Sequence, residues 1–118
     1  MKTIVLPVIL LLMGLLTACS STVGPNAGQN LSVVKSCSAC HAVNEAPKFG
    51  GPSLVGLYGS QVELNDGSFV AADEAYLIES IKEPNAKIVQ GYTQGMMPEI
   101  SLTDDELNAL VAYIKSMK

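Results

Sequence analysis

Two cysteines three positions apart, followed at once by the chain's single histidine, form Cys37-Ser38-Ala39-Cys40-His41. Cys-x-x-Cys-His is the spacing of covalent c-type haem attachment. Two thiols on one helical turn both reach the porphyrin vinyl groups and form thioethers, and the adjacent imidazole then lies under the iron as an axial ligand. Other uses of the same residues fit less well. A redox-active dithiol calls for a preceding strand within a βαβ pattern, and nothing strand-like precedes Cys37. Structural zinc takes four Cys or His ligands, but His41 is the only histidine. A Cys37–Cys40 disulfide suits an oxidising compartment and leaves His41 unexplained.

An iron held by one histidine has a sixth position to fill. A methionine thioether does so in electron-transfer haem proteins and raises the reduction potential. Met96 and Met97 stand side by side before Pro98, 55 and 56 residues after His41. A methionine is more often core filler. An adjacent pair in a Gly/Pro-bounded loop does not read as core, and either Met96 or Met97 is a candidate for that ligand.

The elements that must position these residues are short. Asn30 is the expected cap of a helix with Leu31, Val33 and Val34 on its apolar face, running into Cys37. Residues 43–53 hold two prolines and two glycines and read as loop. Residues 62–64 and 68–70, around Asn65-Asp66-Gly67, predict a β-hairpin. Asp73 and Glu74 open a helix with Leu77, Ile78 and Ile81 on one face, which must stop near Glu83 because Pro84 follows. The last helix is the best signalled. Thr103 and Glu106 form a capping box, Leu102 and Leu107 a hydrophobic staple, and Leu107, Leu110, Val111 and Ile114 recur at helical spacing. The fold class expected is all-α with a short β-hairpin insertion.

The first residues belong to a different class. Lys2 precedes an apolar run from Ile4 to Leu16, too short for the roughly 20 residues of a spanning helix and typical of a secretory signal. Leu16-Thr17-Ala18-Cys19 resembles the lipobox of bacterial lipoproteins, which implies cleavage before Cys19 and lipidation of its thiol. The expected organisation is a removed signal peptide (1–18), a Ser/Thr/Gly/Pro/Asn-rich tether (19–29) spanning about 17 Å on average, and one domain (30–118). Removing 18 of 118 residues leaves 100, with six lysines against eleven acids, net −5 and no arginine. Such a surface argues against nucleic acid and suits a partner with a basic docking face. With Cys19 on lipid and Cys37 and Cys40 on haem, all three cysteines are used.

From about Asn30 to Lys118 the chain resembles class I, monohaem cytochrome c. The likeness is strongest to the cytochrome c domain of bacterial caa3-type haem–copper oxidase subunit II. It rests on Cys37 to His41, the run Gly51-Pro52-Ser53-Leu54-Val55-Gly56-Leu57-Tyr58-Gly59, and the turn at Asp66-Gly67. Further on it rests on Asp73 to Leu77, Pro84 to Val89, Gly91-Tyr92, Met97-Pro98 and Leu110 to Tyr113. The resemblance implies one covalent haem c, with the Pro52 carbonyl accepting from the His41 ring and Met97 as distal ligand. It implies a pocket of Leu54, Leu57, Tyr58, Leu77, Ile81, Tyr92 and Leu110, with Leu110 and Tyr113 where the last helix crosses the first. Val33 replaces the aromatic that family members often carry four positions before the first haem cysteine. With neither Trp nor Arg in the chain, the propionates would rely on Tyr, Asn, Lys or backbone donors. No cupredoxin segment or transmembrane hairpin accompanies the domain, so a free-standing carrier is expected.

The expected function is therefore non-enzymatic: a lipid-anchored, extracytoplasmic electron carrier, in the periplasm or on the outer face of the cell membrane. It would pass electrons from a quinol-oxidising complex or soluble donor to a terminal oxidase or reductase of a respiratory chain. Its rivals are a haem enzyme or ligand sensor with an open sixth site, and a thiol–disulfide oxidoreductase.

Overall fold

The computed structural model describes residues 24, 26–43 and 50–118. The expected signal segment, Cys19 and residues 20–23 of the expected tether lie outside them. Within the described residues no helix is long and apolar enough to cross a membrane. The order of elements is α1 (Ala27–Val34), α2 (Cys37–Cys40), β1 (Gln61–Glu63), β2 (Phe69–Ala71), α3 (Glu74–Lys82) and α4 (Asp104–Ser116).

Helix α4 forms where its local signals place it. Thr103 Oγ1 accepts from the Glu106 amide at 3.2 Å, and Glu106 Oε2 accepts from the Thr103 amide at 2.8 Å. That reciprocal cap satisfies two otherwise orphaned donors and contributes about 1 kcal/mol. The Thr103 amide, followed by the Lys35 ammonium, holds the Glu106 carboxyl below its ordinary value. Leu107, Leu110, Val111 and Ile114 are buried, and Leu102 packs against the same core. Helix α3 is capped by Asp73, whose Oδ1 accepts from the Tyr76 amide at 2.8 Å, and it ends at Glu83 before Pro84. Its buried residues are Tyr76, Leu77 and Ile81, with Ile78 half-buried.

The hairpin pairs Gln61 with Ala71, Val62 with Val70 and Glu63 with Phe69. Its strands sit one residue further out than the pattern suggests, because Leu64 and Ser68 close the turn with a 2.8 Å backbone bond. The segment after α3 runs along β1: Leu64 bridges Val89, and the Gln90 amide donates to the Glu63 carbonyl at 2.9 Å.

Helix α1 departs from expectation in three ways. It starts at Ala27, three residues before Asn30 and inside the expected tether. It ends at Val34 with Lys35 as its C-cap, and Ser36 takes a left-handed backbone (φ 63°) before α2, so it does not run unbroken into Cys37. Its inward residues are Gly28 and Ser32, while Val33 and Val34 are 64% and 75% exposed. The cause is proximity. A Cβ on Gly28 would stand inside the contact distance of the Ala109 carbonyl oxygen, 2.9 Å from its carbon and 2.5 Å from Tyr113 Cβ. Helices this close admit only small side chains at the crossing, so the larger valines lie outside it. Ser32 tolerates burial because its hydroxyl donates to the Gln29 carbonyl at 2.7 Å.

Candidate functional site

Two residues beyond α1, the four-residue α2 carries Cys37 at one end and Cys40 at the other. His41 follows in extended conformation, its amide donating to the Cys37 carbonyl at 2.9 Å. The ring is then fixed by the loop that returns across it. His41 Nδ1 lies 2.8 Å from the Pro52 carbonyl oxygen. A carbonyl only accepts, so Nδ1 carries the proton and Nε2 is left with its lone pair. This is the tautomer a metal-ligating histidine needs.

Gly51 makes this approach possible. Its amide donates to the Cys40 carbonyl at 3.0 Å, and a Cβ there would stand 2.9 Å from that oxygen and 3.0 Å from His41 Nδ1. A further bond, from the Leu54 amide to the Ala42 carbonyl at 3.1 Å, zips the two segments together. The residues present therefore suit a haem joined through Cys37 and Cys40. The thiols stand one helical turn apart and the imidazole is locked with its free nitrogen available.

Half-burial pushes the Cys37 thiol above its ordinary value, desolvation outweighing a backbone hydrogen bond. Reactive dithiols need the opposite shift, which counts against disulfide exchange. Among the described residues no three His, Cys, Asp or Glu gather as a metal cluster.

Of the expected pocket residues, Leu54, Leu77, Ile81 and Leu110 are brought into one buried cluster, with Leu57 packed against it. Tyr92 is half-buried. Tyr58 stands at the surface, 42% exposed, with Lys115 Nζ 5.0 Å above its ring. Glu74 completes that corner: its carboxylate bonds Lys115 and raises the ammonium's pKa, the largest of the causes acting on it.

The two methionines differ. Met96 is 51% exposed, its methyl 3.3 Å from where a Gly50 Cβ would be, whereas Met97 is half-buried. Two residues important to this geometry went unassigned a role by sequence reasoning: Gly28 and Gly51. The first was legible as a glycine four positions before a serine, the spacing of one helix face.

A family model described as "Cytochrome c" matches residues 25–118. A cytochrome c2 iso-1 of Magnetospirillum fulvum is 30% identical over 91 residues, covering 70% of this chain and 91% of that protein. Among solved structures, cytochrome cH from Methylobacterium extorquens superposes with a TM-score of 0.53 at 26% identity, covering 75% of this chain and 94% of that one.

Proposed function

The chain belongs to the cytochrome c family and is a monohaem electron carrier with one covalent haem c; from that premise we propose that it serves as a lipid-anchored, extracytoplasmic shuttle delivering electrons to a terminal oxidase or reductase. The observation that carries the reading of the site is the 2.8 Å bond from His41 Nδ1 to the Pro52 carbonyl. It holds the imidazole in one orientation and makes Nε2 a better donor.

The haem c supplies reversible one-electron exchange at its iron. Everything else is the work of the chain. His41 Nε2 and Met97 Sδ would hold the iron, leaving no coordination position for a substrate. The thioethers at Cys37 and Cys40 keep the cofactor in place through many redox cycles. Leu54, Leu57, Ile81 and Leu110 exclude water and favour the ferrous form.

Met97 is the preferred ligand because it is the more sheltered of the pair and precedes Pro98. Met97→Ala is expected to leave haem attached, abolish the weak long-wavelength sulfur-to-iron absorption band of the ferric protein and lower the reduction potential. Met96→Ala should do none of these. The reverse outcome in a redox titration of both variants would transfer the role to Met96.

Delivery to an oxidase is supported by the likeness of the motif series to the cytochrome c domain of oxidase subunit II. The excess of acids over lysines suits a donor or acceptor with a basic face. Anchoring rests on Leu16-Thr17-Ala18-Cys19, since several acyl chains bind a membrane far more firmly than one. In cells, Cys19→Ala should move the haem protein from washed membranes to the soluble fraction or leave it unprocessed. Equal retention on membranes with complete processing would remove the lipid anchor from the proposal.

A further inference from the structure

Residues 91–99 carry both candidate sulfur ligands, yet little fastens them. Seven of the nine are exposed, Tyr92 and Met97 being half-buried. Two backbone bonds there are local: Tyr92 amide to Val89 carbonyl at 3.0 Å, and Met96 amide to Thr93 carbonyl at 3.4 Å, the latter long. Among the described residues one hydrogen bond reaches further. Asn85, directly after Pro84 at the end of α3, accepts from the Gly95 amide through Oδ1 at 2.7 Å. The donor is an N–H, so the side-chain oxygen must be the atom facing it.

Asn85 is itself firmly based. Pro84 is buried, and the Ala86 amide donates to the Glu83 carbonyl at 2.9 Å, closing a turn around it. On its far side the chain is pinned to the hairpin through the Asn65 amide and the Ile88 carbonyl at 2.9 Å. A stable platform thus grips a loosely held loop two residues before Met97.

We propose that Asn85 is a positioning residue for the iron's sulfur ligand: its bond to Gly95 selects the loop conformation in which Met97 can bind. This rests on the Met97 reading above. Sulfur ligation competes with a state in which the loop swings away, and a bond present only in the first state shifts the balance by its own free energy. A neutral hydrogen bond at an exposed site corresponds to roughly a threefold to tenfold change in that balance.

The test uses the full-length ferric haem protein, with imidazole added as a competitor for the sulfur's place. Asn85→Ala should increase the apparent imidazole affinity by about threefold to tenfold and weaken the sulfur-to-iron band. Haem content and circular dichroism should stay at wild-type values. Asn85→Asp keeps an acceptor oxygen and should restore both band and affinity towards wild type. Wild-type behaviour in Asn85→Ala overturns the proposal and leaves the Met97 assignment standing. Equal loss in the alanine and aspartate variants also overturns it, because the acceptor would then not be what matters. A wild-type protein without the sulfur band overturns the ligand assignment and this inference together.

Discussion

Replacing His41 by alanine is expected to reduce the recovered haem-bearing protein by at least about tenfold, a loss on the order of 1.4 kcal/mol that is a lower bound on the effect. Two contributions act together. The iron would lose the imidazole proposed to hold it, and the half-buried Pro52 carbonyl loses the donor 2.8 Å away. The second alone costs about 1–3 kcal/mol, a large share of the ~5–15 kcal/mol that holds a domain of this kind folded. A domain this small leans on its cofactor to complete the core, so the variant should lose cooperative unfolding as well as colour. Pro52→Ala is the matching control. It keeps the carbonyl in the chain and should retain most of the haem protein. Quantifying haem-bearing protein per cell checks both, and a His41→Ala variant with wild-type yield and spectrum would mean that the iron takes its ligand elsewhere.

Gly28→Ala is expected to lower the thermal midpoint by roughly 10–20 °C, taking an overpacking cost of about 2–3 kcal/mol and some 4–8 °C per kcal/mol. The usual rule points the other way, since Gly→Ala in an unencumbered helix gains up to about 1 kcal/mol. Space decides the sign. The atoms in the way are the backbone carbonyl of Ala109 and Tyr113 Cβ, neither of which can rotate aside. Trimming Tyr113 to alanine leaves its Cβ in place and relieves none of the clash, and Ala109→Gly leaves the carbonyl where it is. Helix α1 has eight residues and no side-chain N-cap, so it does not persist undocked. Gly24→Ala, with nothing within 4 Å of the new methyl, should leave the midpoint nearly unchanged. Thermal melts of the two variants side by side separate a steric cause from a general intolerance of substitution near α1.

These cases show where sequence reasoning had purchase. Helix α4 was legible because its cap, charges and apolar stripe are all local: Thr103 and Glu106 stand three apart, and Leu107 to Ile114 keep one face. Pro84 ended α3, and Asp66-Gly67 marked the hairpin turn, for the same reason. Helix α1 misled because its packing comes from close approach. Val33 and Val34 looked like its core face, while Gly28 and Ser32 carry no hydrophobic signal at all. The cysteine pair and His41 were plain from spacing, but the tautomer is set by Pro52, eleven positions on. Burial, which no local pattern gives, distinguishes Met97 from Met96. Asn85 was visible only within a run of matching residues, since a side-chain bond reaching ten positions ahead leaves no periodic trace.

The crossing of α1 and α4 also dictates a sequence of events in the life of the chain. Gly28 and Ala109 are 81 positions apart, so the first helix has no docking surface until α4, at residues 104–116, is in place. A contact of such long range carries the loop-closure cost of the chain between its partners. Until α1 docks, the segment bearing Cys37 and Cys40 lacks the tie that α1 gives it to α4. A chain stopped short of residue 104 would lack the α4 surface on which α1 docks.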